Sequence, residues 1–333
     1  MTRPSPTRPL ATALALLLTL GSHWSCRAPD APQFLLRASL LVAEDHTWFR
    51  AFQHFGEQLA VRSDGRIRLQ TYPAEQLAKE IEAIRMIQAE VIDMTTTSAL
   101  LSNWTEIMTF CEMPFLMDGM ADVDAMLNGP VGARIREEMV SKTGLRPVAY
   151  FQAGARHLTS NRPIRHPDDL QGLIIRIPSI PAFITAWDAL GAKTTPIAFS
   201  EVFTRLQPGV INAQENPLPL TKMLGMAEVQ DYVNLTSHVF GWTYPVIGER
   251  QFQKFPPDLQ AIFLECAADM QAYERRLFEA NDAKTRAELE AKGMTFVEVD
   301  REAFKAKHGD AIYRTLSPEM QAVYRSLKPA VGE

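Results

Sequence analysis

Cysteine is scarce in this chain: three among 333 residues, Cys26, Cys111 and Cys266, with no C-x-x-C pair. So few cysteines imply no disulfide framework. Cys111 and Cys266 read as small core hydrophobes, with a pairing between them left open. There is no G-x-S-x-G, no H-E-x-x-H and no glycine-rich phosphate loop, and the seven histidines are dispersed without metal-ligand spacing. Nothing in the pattern therefore asks for nucleophilic catalysis, a metal or any other cofactor. Catalytic triads are assembled in space, so missing motifs do not by themselves exclude an enzyme. No block of Lys or Arg occurs, and the formal net charge of -5 is spread along the chain, which argues against a nucleic-acid partner.

One apolar run stands out, Leu10 to Leu20, preceded by Arg3 and Arg8. It is shorter than the about 20 residues that a membrane span needs and has the layout of a secretory signal, here assigned to residues 1–25. Cys26 invites a lipid anchor, but His23-Trp24-Ser25 before it is bulkier than a lipidation signal usually allows. Cleavage to a soluble export product is the expectation.

Beyond this leader the chain alternates between strand and helix patterns. Phe34–Val42 reads as a strand, and Asp45 as the cap of a helix over 46–62 carrying Trp48, Phe49, Phe52 and Phe55 on one face. Arg66–Tyr72 reads as a strand, Lys79–Glu90 as a helix and Val91–Thr95 as a strand, the signature of a parallel α/β unit. Thr95-Thr-Thr-Ser98 would follow that strand, at the end of a parallel sheet that borders ligands. Its hydroxyls suit a polyhydroxylated ligand and equally suit capping a turn.

A second α/β set spans about 158–237, with strands at Leu173–Ile177, Lys193–Pro196 and Val210–Ala213 and helices at Ile180–Leu190 and Phe199–Leu206. Arg146–Gln152 and Val239–Ile247 read as extended connectors between the sets. From Pro256-Pro257 to Lys292 no further Gly or Pro occurs, and apolar residues recur at helical steps. This is one helix of roughly 50 Å or a kinked pair.

Two arginines and an asparagine interrupt apolar or turn-like sequence in the second set. Arg156 lies in Gln152-Ala-Gly-Ala-Arg-His157, Arg176 in Leu173-Ile-Ile-Arg-Ile-Pro178 and Asn216 in Gln214-Glu-Asn-Pro217. A guanidinium at the end of a buried strand is costly unless an anion meets it. Arginine's planar fork suits a carboxylate, and an amide at 216 can donate to the anion while orienting a guanidinium.

These residues sit inside longer motifs: Ser160-Asn-Arg-Pro-Ile164, Asp168-Asp-Leu-Gln-Gly-Leu-Ile-Ile-Arg-Ile-Pro178, Gly191-Ala-Lys-Thr-Thr-Pro-Ile-Ala-Phe-Ser-Glu-Val-Phe203 and Leu206-Gln-Pro-Gly-Val-Ile-Asn-Ala-Gln-Glu-Asn-Pro217. With Gly65-Arg-Ile-Arg68 and Phe110-Cys-Glu-Met-Pro-Phe-Leu116, they make the chain resemble the periplasmic solute-binding proteins of tripartite ATP-independent periplasmic (TRAP) transporters, of the C4-dicarboxylate-binding type, over about 34–328. The resemblance implies an α/β bilobal periplasmic binding protein fold, two lobes around a hinge with a long helix bracing both. The lobes are assigned as 30–153 plus 242–281 and 154–241 plus 282–331.

It further implies that Arg176 takes a substrate carboxylate, that Arg156 and Asn216 complete the acid-binding cluster and that Phe199 walls the pocket. Partners implied are a small organic acid and the small and large TRAP membrane subunits, with the binding protein a monomer that does no chemistry. The family's usual Asp-Gly before Gln-Glu-Asn-Pro is Asn212-Ala213 here. Ser98, Glu44, His46, Trp242 and Tyr244 are the candidate first-lobe contacts. The acid expected is a sugar acid, such as a uronate or aldonate, or a C4-dicarboxylate. The alternatives are a periplasmic enzyme or a ligand sensor acting on organic acids with a similar fold.

Overall fold

The computed structural model describes residues 1–2 and 31–327, so the leader over 1–25 and Cys26 lie outside the described residues. Strand β1 (Phe34–Ser39) lies between two parallel neighbours, β2 (Ile67–Tyr72) and β3 (Met94–Thr97). The helix Thr47–Arg62 crosses from β1 to β2 and buries Trp48, Phe49, Phe52, Phe55 and Leu59 at three- and four-residue steps.

Its cap is His46 rather than Asp45: Nδ1 of His46 accepts from the Trp48 amide at 3.2 Å. Burial lowers the imidazole pKa to about 3, so the ring is neutral and free to act as acceptor.

The helix Glu80–Gln88 leads to β3, which starts three residues later than its sequence suggested. Residues 89–91 are spent closing the helix, with Glu90 at φ +59° and the Val91 amide donating to Met86. Thr95, Thr96 and Thr97 therefore lie within the strand, and only Ser98 comes after it.

After β4 (Leu145–Pro147) come β5 (Phe151–Ser160), β6 (Ile174–Ile177), β7 (Lys193–Pro196) and β8 (Ala213–Pro217). β6 lies parallel to β7 and β8, and β5 runs antiparallel to β8. β8 also starts three residues later than expected. Gly209 turns at φ +74°, Val210 is exposed, and the Asn212 side chain takes the Ile174 amide at 2.8 Å, so 209–212 only lead into the sheet. Gln214-Glu-Asn-Pro217, beyond the end of the expected strand, is itself strand.

The largest departure is β9 (Tyr232–Gly248), one strand of 17 residues where a connector over 239–247 was expected. Its last residues pair with β3 and β4. Its earlier part pairs with β5 and with β10 (Thr295–Val297). The path is β2-β1-β3-β9-β5-β8-β6-β7, so β9 joins the two strand sets into one mixed α/β sheet.

The long segment is a single helix, Pro257–Ala291, of 35 residues, roughly 50 Å. Phe263 meets Phe55 edge-on with ring centroids 5.1 Å apart. Further along, Glu288 pairs with Lys222 and Leu289 packs with Val233. The helix thus braces elements of both sets. Cys111 and Cys266 are free and buried in different apolar clusters. Among the described residues no helix is long and apolar enough to cross a membrane.

Candidate ligand site

Arg176 is the third residue of β6, flanked by the fully buried Ile175 and Ile177. The β pleat turns those neighbours to one face and Arg176 to the other. Its side chain is 2% exposed, and Nε donates to the Ile197 carbonyl at 2.8 Å. Among the described residues no carboxylate lies within ion-pair distance of it. Burial lowers its pKa to about 10, with Glu215 opposing that shift and Arg156 adding to it. The guanidinium is still charged at neutral pH, with acidic residues in its field but none among the described residues paired with it directly.

Arg176 faces a cavity of about 350 Å³, a size that suits a small ligand. The same cavity is lined by Arg156, Asn216, Phe199, Ser98 and Trp242. Six of the nine sequence candidates therefore converge. Glu44 is exposed, His46 is occupied as a helix cap, and Tyr244 is buried edge-on to Trp242 with centroids 6.1 Å apart. None of these three belongs to the lining.

Arg156 differs from Arg176 in one respect that its sequence did not reveal. Its Nε and Nη2 donate to the two oxygens of Glu215, at 2.6 and 2.9 Å, and Nη1 donates to Glu112 at 3.2 Å. Nη2 also reaches Oδ1 of Asn216 at 3.2 Å. Burial alone would raise the Glu215 carboxyl, yet Arg156 and His238 outweigh it and hold the carboxyl below its usual range. His238 Nε2 lies 3.0 Å from Glu215 and Nδ1 lies 2.9 Å from the Thr236 hydroxyl.

Asn216 Nδ2 donates to Gln214 at 2.6 Å, and Gln214 in turn donates to Thr159 at 2.8 Å. β8 is thus a row of buried polar side chains, each held by another. Such a network fixes geometry as well as charge.

Sequence reasoning missed the acidic wall. Glu112 accepts from the Ser98 hydroxyl and from Arg156. Glu80, first residue of its helix, accepts from the Thr97 hydroxyl at 2.8 Å. Burial raises the Glu80 pKa to about 8; Thr97 pulls it down, and Glu112 and Glu75 push it further up. Glu75 lines the cavity too, and its Oε2 is buried with no hydrogen-bond partner. Acidic residues are common enough that position alone gave no signal for these. At the rim, Lys79 pairs with Glu201 at 2.6 Å, tying the helix after β2 to the short helical turn Phe199–Glu201.

Residues 38–317 match the family described as bacterial extracellular solute-binding protein, family 7. A solute-binding protein of Roseobacter denitrificans is 42% identical over 300 residues, which is 90% of this chain and 92% of that protein. The crystal structure of that TRAP periplasmic solute-binding protein, with bound L-galactonate, superposes with a TM-score of 0.87 and covers 90% of this chain and 99% of its own. A TRAP periplasmic protein of Polaromonas bound to D-erythronate is 25% identical with a TM-score of 0.84, over 90% of this chain and all of its own (100%). The 2,3-diketo-L-gulonate-binding periplasmic protein of Escherichia coli is 29% identical over 79% of this chain and 80% of its own. The chain belongs to family 7 of the bacterial extracellular solute-binding proteins; it is a TRAP-type solute-binding protein, not an enzyme.

Proposed function

We propose that this protein captures a sugar acid by its carboxylate, with Arg176 as the primary grip, and hands it to TRAP membrane subunits. The observation that carries this reading is a buried, charged guanidinium, set in the wall of a cavity, that pairs with no carboxylate among the described residues. A carboxylate arriving from outside would supply the missing partner in bidentate form. Asn216, oriented by Arg156 and Gln214, would donate to the same anion. Phe199 and Trp242 would cover the carbon skeleton, and Ser98 sits among the acidic groups that meet its hydroxyls. The sugar acids bound by the Roseobacter and Polaromonas proteins support this ligand class.

The lobes are read as 30–153 plus 242–281 and 154–241 plus 282–331. Closing one on the other is a population shift, which requires the ligand to bind the closed form better than the open form. The protein is read as a monomer with no nucleic-acid partner, exported to the periplasm by the leader at 1–25.

The test is a thermal-shift screen of the purified mature protein against an organic-acid library, with the matching neutral amides as controls. A ligand that binds only the native state raises the melting temperature. Sugar acids are expected to stabilise and their amides not to. Stabilisation by amide and acid alike would remove the role given to Arg176.

A further inference from the structure

We infer that the wall formed by Glu75 and Glu80 selects a ligand with a single carboxylate and a hydroxylated tail, and excludes acids carrying a second carboxylate. The inference rests on the carboxylate reading of Arg176 and goes beyond it by assigning what the other end of the cavity accepts.

Among the described residues, the cavity lining holds one buried cation without a carboxylate partner. Arg156 is matched by Glu215 and Glu112, and Lys79 by Glu201. Arg85 also lines the cavity but is exposed, so solvent screens it. Arg176 is the buried cation that remains. A second carboxylate on the ligand would find no equivalent.

It would instead meet acceptors. One oxygen of Glu80 is held by Thr97, and its other oxygen takes no hydrogen bond among the described residues. Oε2 of Glu75 is buried and unpartnered. An ionised carboxylate offers only acceptor sites, which hydroxyl hydrogens fill and carboxylate oxygens do not. A ligand hydroxyl would thus complete two incomplete groups, while a ligand carboxylate would add a like charge beside two half-buried carboxylates.

The charged groups acting on Glu80 are Glu112 and Glu75 from other segments and Arg176 from β6; Lys79, Glu82 and Arg85 of its own helix and cap line the same cavity. Burial raises the Glu80 carboxyl to about 8, and a protonated Glu80 would offer an O–H to a second carboxylate, so the exclusion applies where the carboxyl is ionised and is read at pH 9, above that value.

The experiment compares matched acids that differ only at the terminal carbon: L-galactonate with galactarate, and D-gluconate with D-glucarate, plus succinate. Each is titrated calorimetrically at pH 9 into the wild-type protein and into Glu80→Gln and Glu75→Gln, with folding checked by circular dichroism. Wild type is expected to bind at least one monoacid about 100-fold or more tightly than its diacid. At least one glutamine variant should narrow that ratio about tenfold or more, mainly by improving the diacid. A diacid bound within about threefold of its monoacid by wild type overturns the inference, as does a ratio that moves in neither variant. If none of the five acids binds, the carboxylate reading of Arg176 fails, and this inference with it.

Discussion

Arg156 and Arg176 line one cavity, but Arg156 donates to both oxygens of Glu215 and to Glu112, whereas among the described residues Arg176 donates only to the Ile197 carbonyl. Two arginines that look alike in sequence therefore have different work. Substituting them should separate binding from stability.

Arg176→Ala is expected to weaken sugar-acid binding by about 2–5 kcal/mol, the range for removing one member of a desolvated charge pair. It should leave folding stability nearly intact, because no protein carboxylate loses its partner. Arg156→Gln strands Glu215 and Glu112 and should lower stability by about 3–5 kcal/mol. Calorimetry and urea midpoints on both variants make the comparison. Indistinguishable profiles would contradict the division of roles.

Glu274 gives a pH prediction. It lies 1% exposed in the long helix, accepting from the Thr47 hydroxyl at 3.2 Å and the Gln152 amide at 3.4 Å. Burial raises its pKa from 4.5 to about 8, against the pull of those two donors. The folded state therefore holds a proton that the unfolded state has released between these values. Stability from this group is complete at low pH and declines as pH rises through that window. Glu274→Gln keeps an acceptor without the charge, so it should be more stable than wild type at pH 9, by on the order of 1–4 kcal/mol, with the gap closing towards pH 5. Melting temperatures at pH 5, 7 and 9 decide this; a pH-independent difference would rule the mechanism out.

Gly154 gives a backbone prediction. It has φ +80° in β5, where the register with β9 shifts, and a Cβ there would stand 3.1 Å from the Phe278 ring of the long helix. Gly154→Ala is expected to cost about 1–2 kcal/mol for the left-handed backbone alone. A chemical-denaturation midpoint equal to wild type would show that the bulge relaxes freely.

Much of the fold and part of the site are legible in the residues themselves. The aromatic stripe at Trp48, Phe49, Phe52 and Phe55 and the apolar flanks of Arg176 declare a helix and a buried strand, because hydrophobic periodicity reports burial directly. What escapes is polar and buried. Gln214, Glu215 and Asn216 lie past the strand expected over 210–213, yet each is inside β8, satisfied by Thr159, by Arg156 and His238, and by Gln214 respectively. The same holds for Thr95 and Thr97 in β3, whose hydroxyls donate to the Ser39 carbonyl and to Glu80. β9 carries Asn234, Thr236 and His238 in its first half, so only its apolar second half is visible. Apart from the Asn216–Gln214 contact, the partners named here lie 17 or more residues away along the chain, and a local window does not contain them. Glu75 and Glu80 escape for the same reason: their role comes from what lies opposite.

β9 has a consequence for anyone recombining this protein with its relatives. Because one uninterrupted strand supplies hydrogen bonds to β3 and β4 at one end and to β5 and β10 at the other, a chimaera cut within 232–248 would splice two ladders whose registers were set in different parents. Crossover points placed outside that strand keep each ladder whole. Grafts of ligand preference between family members should therefore exchange Tyr232–Gly248 intact or not at all.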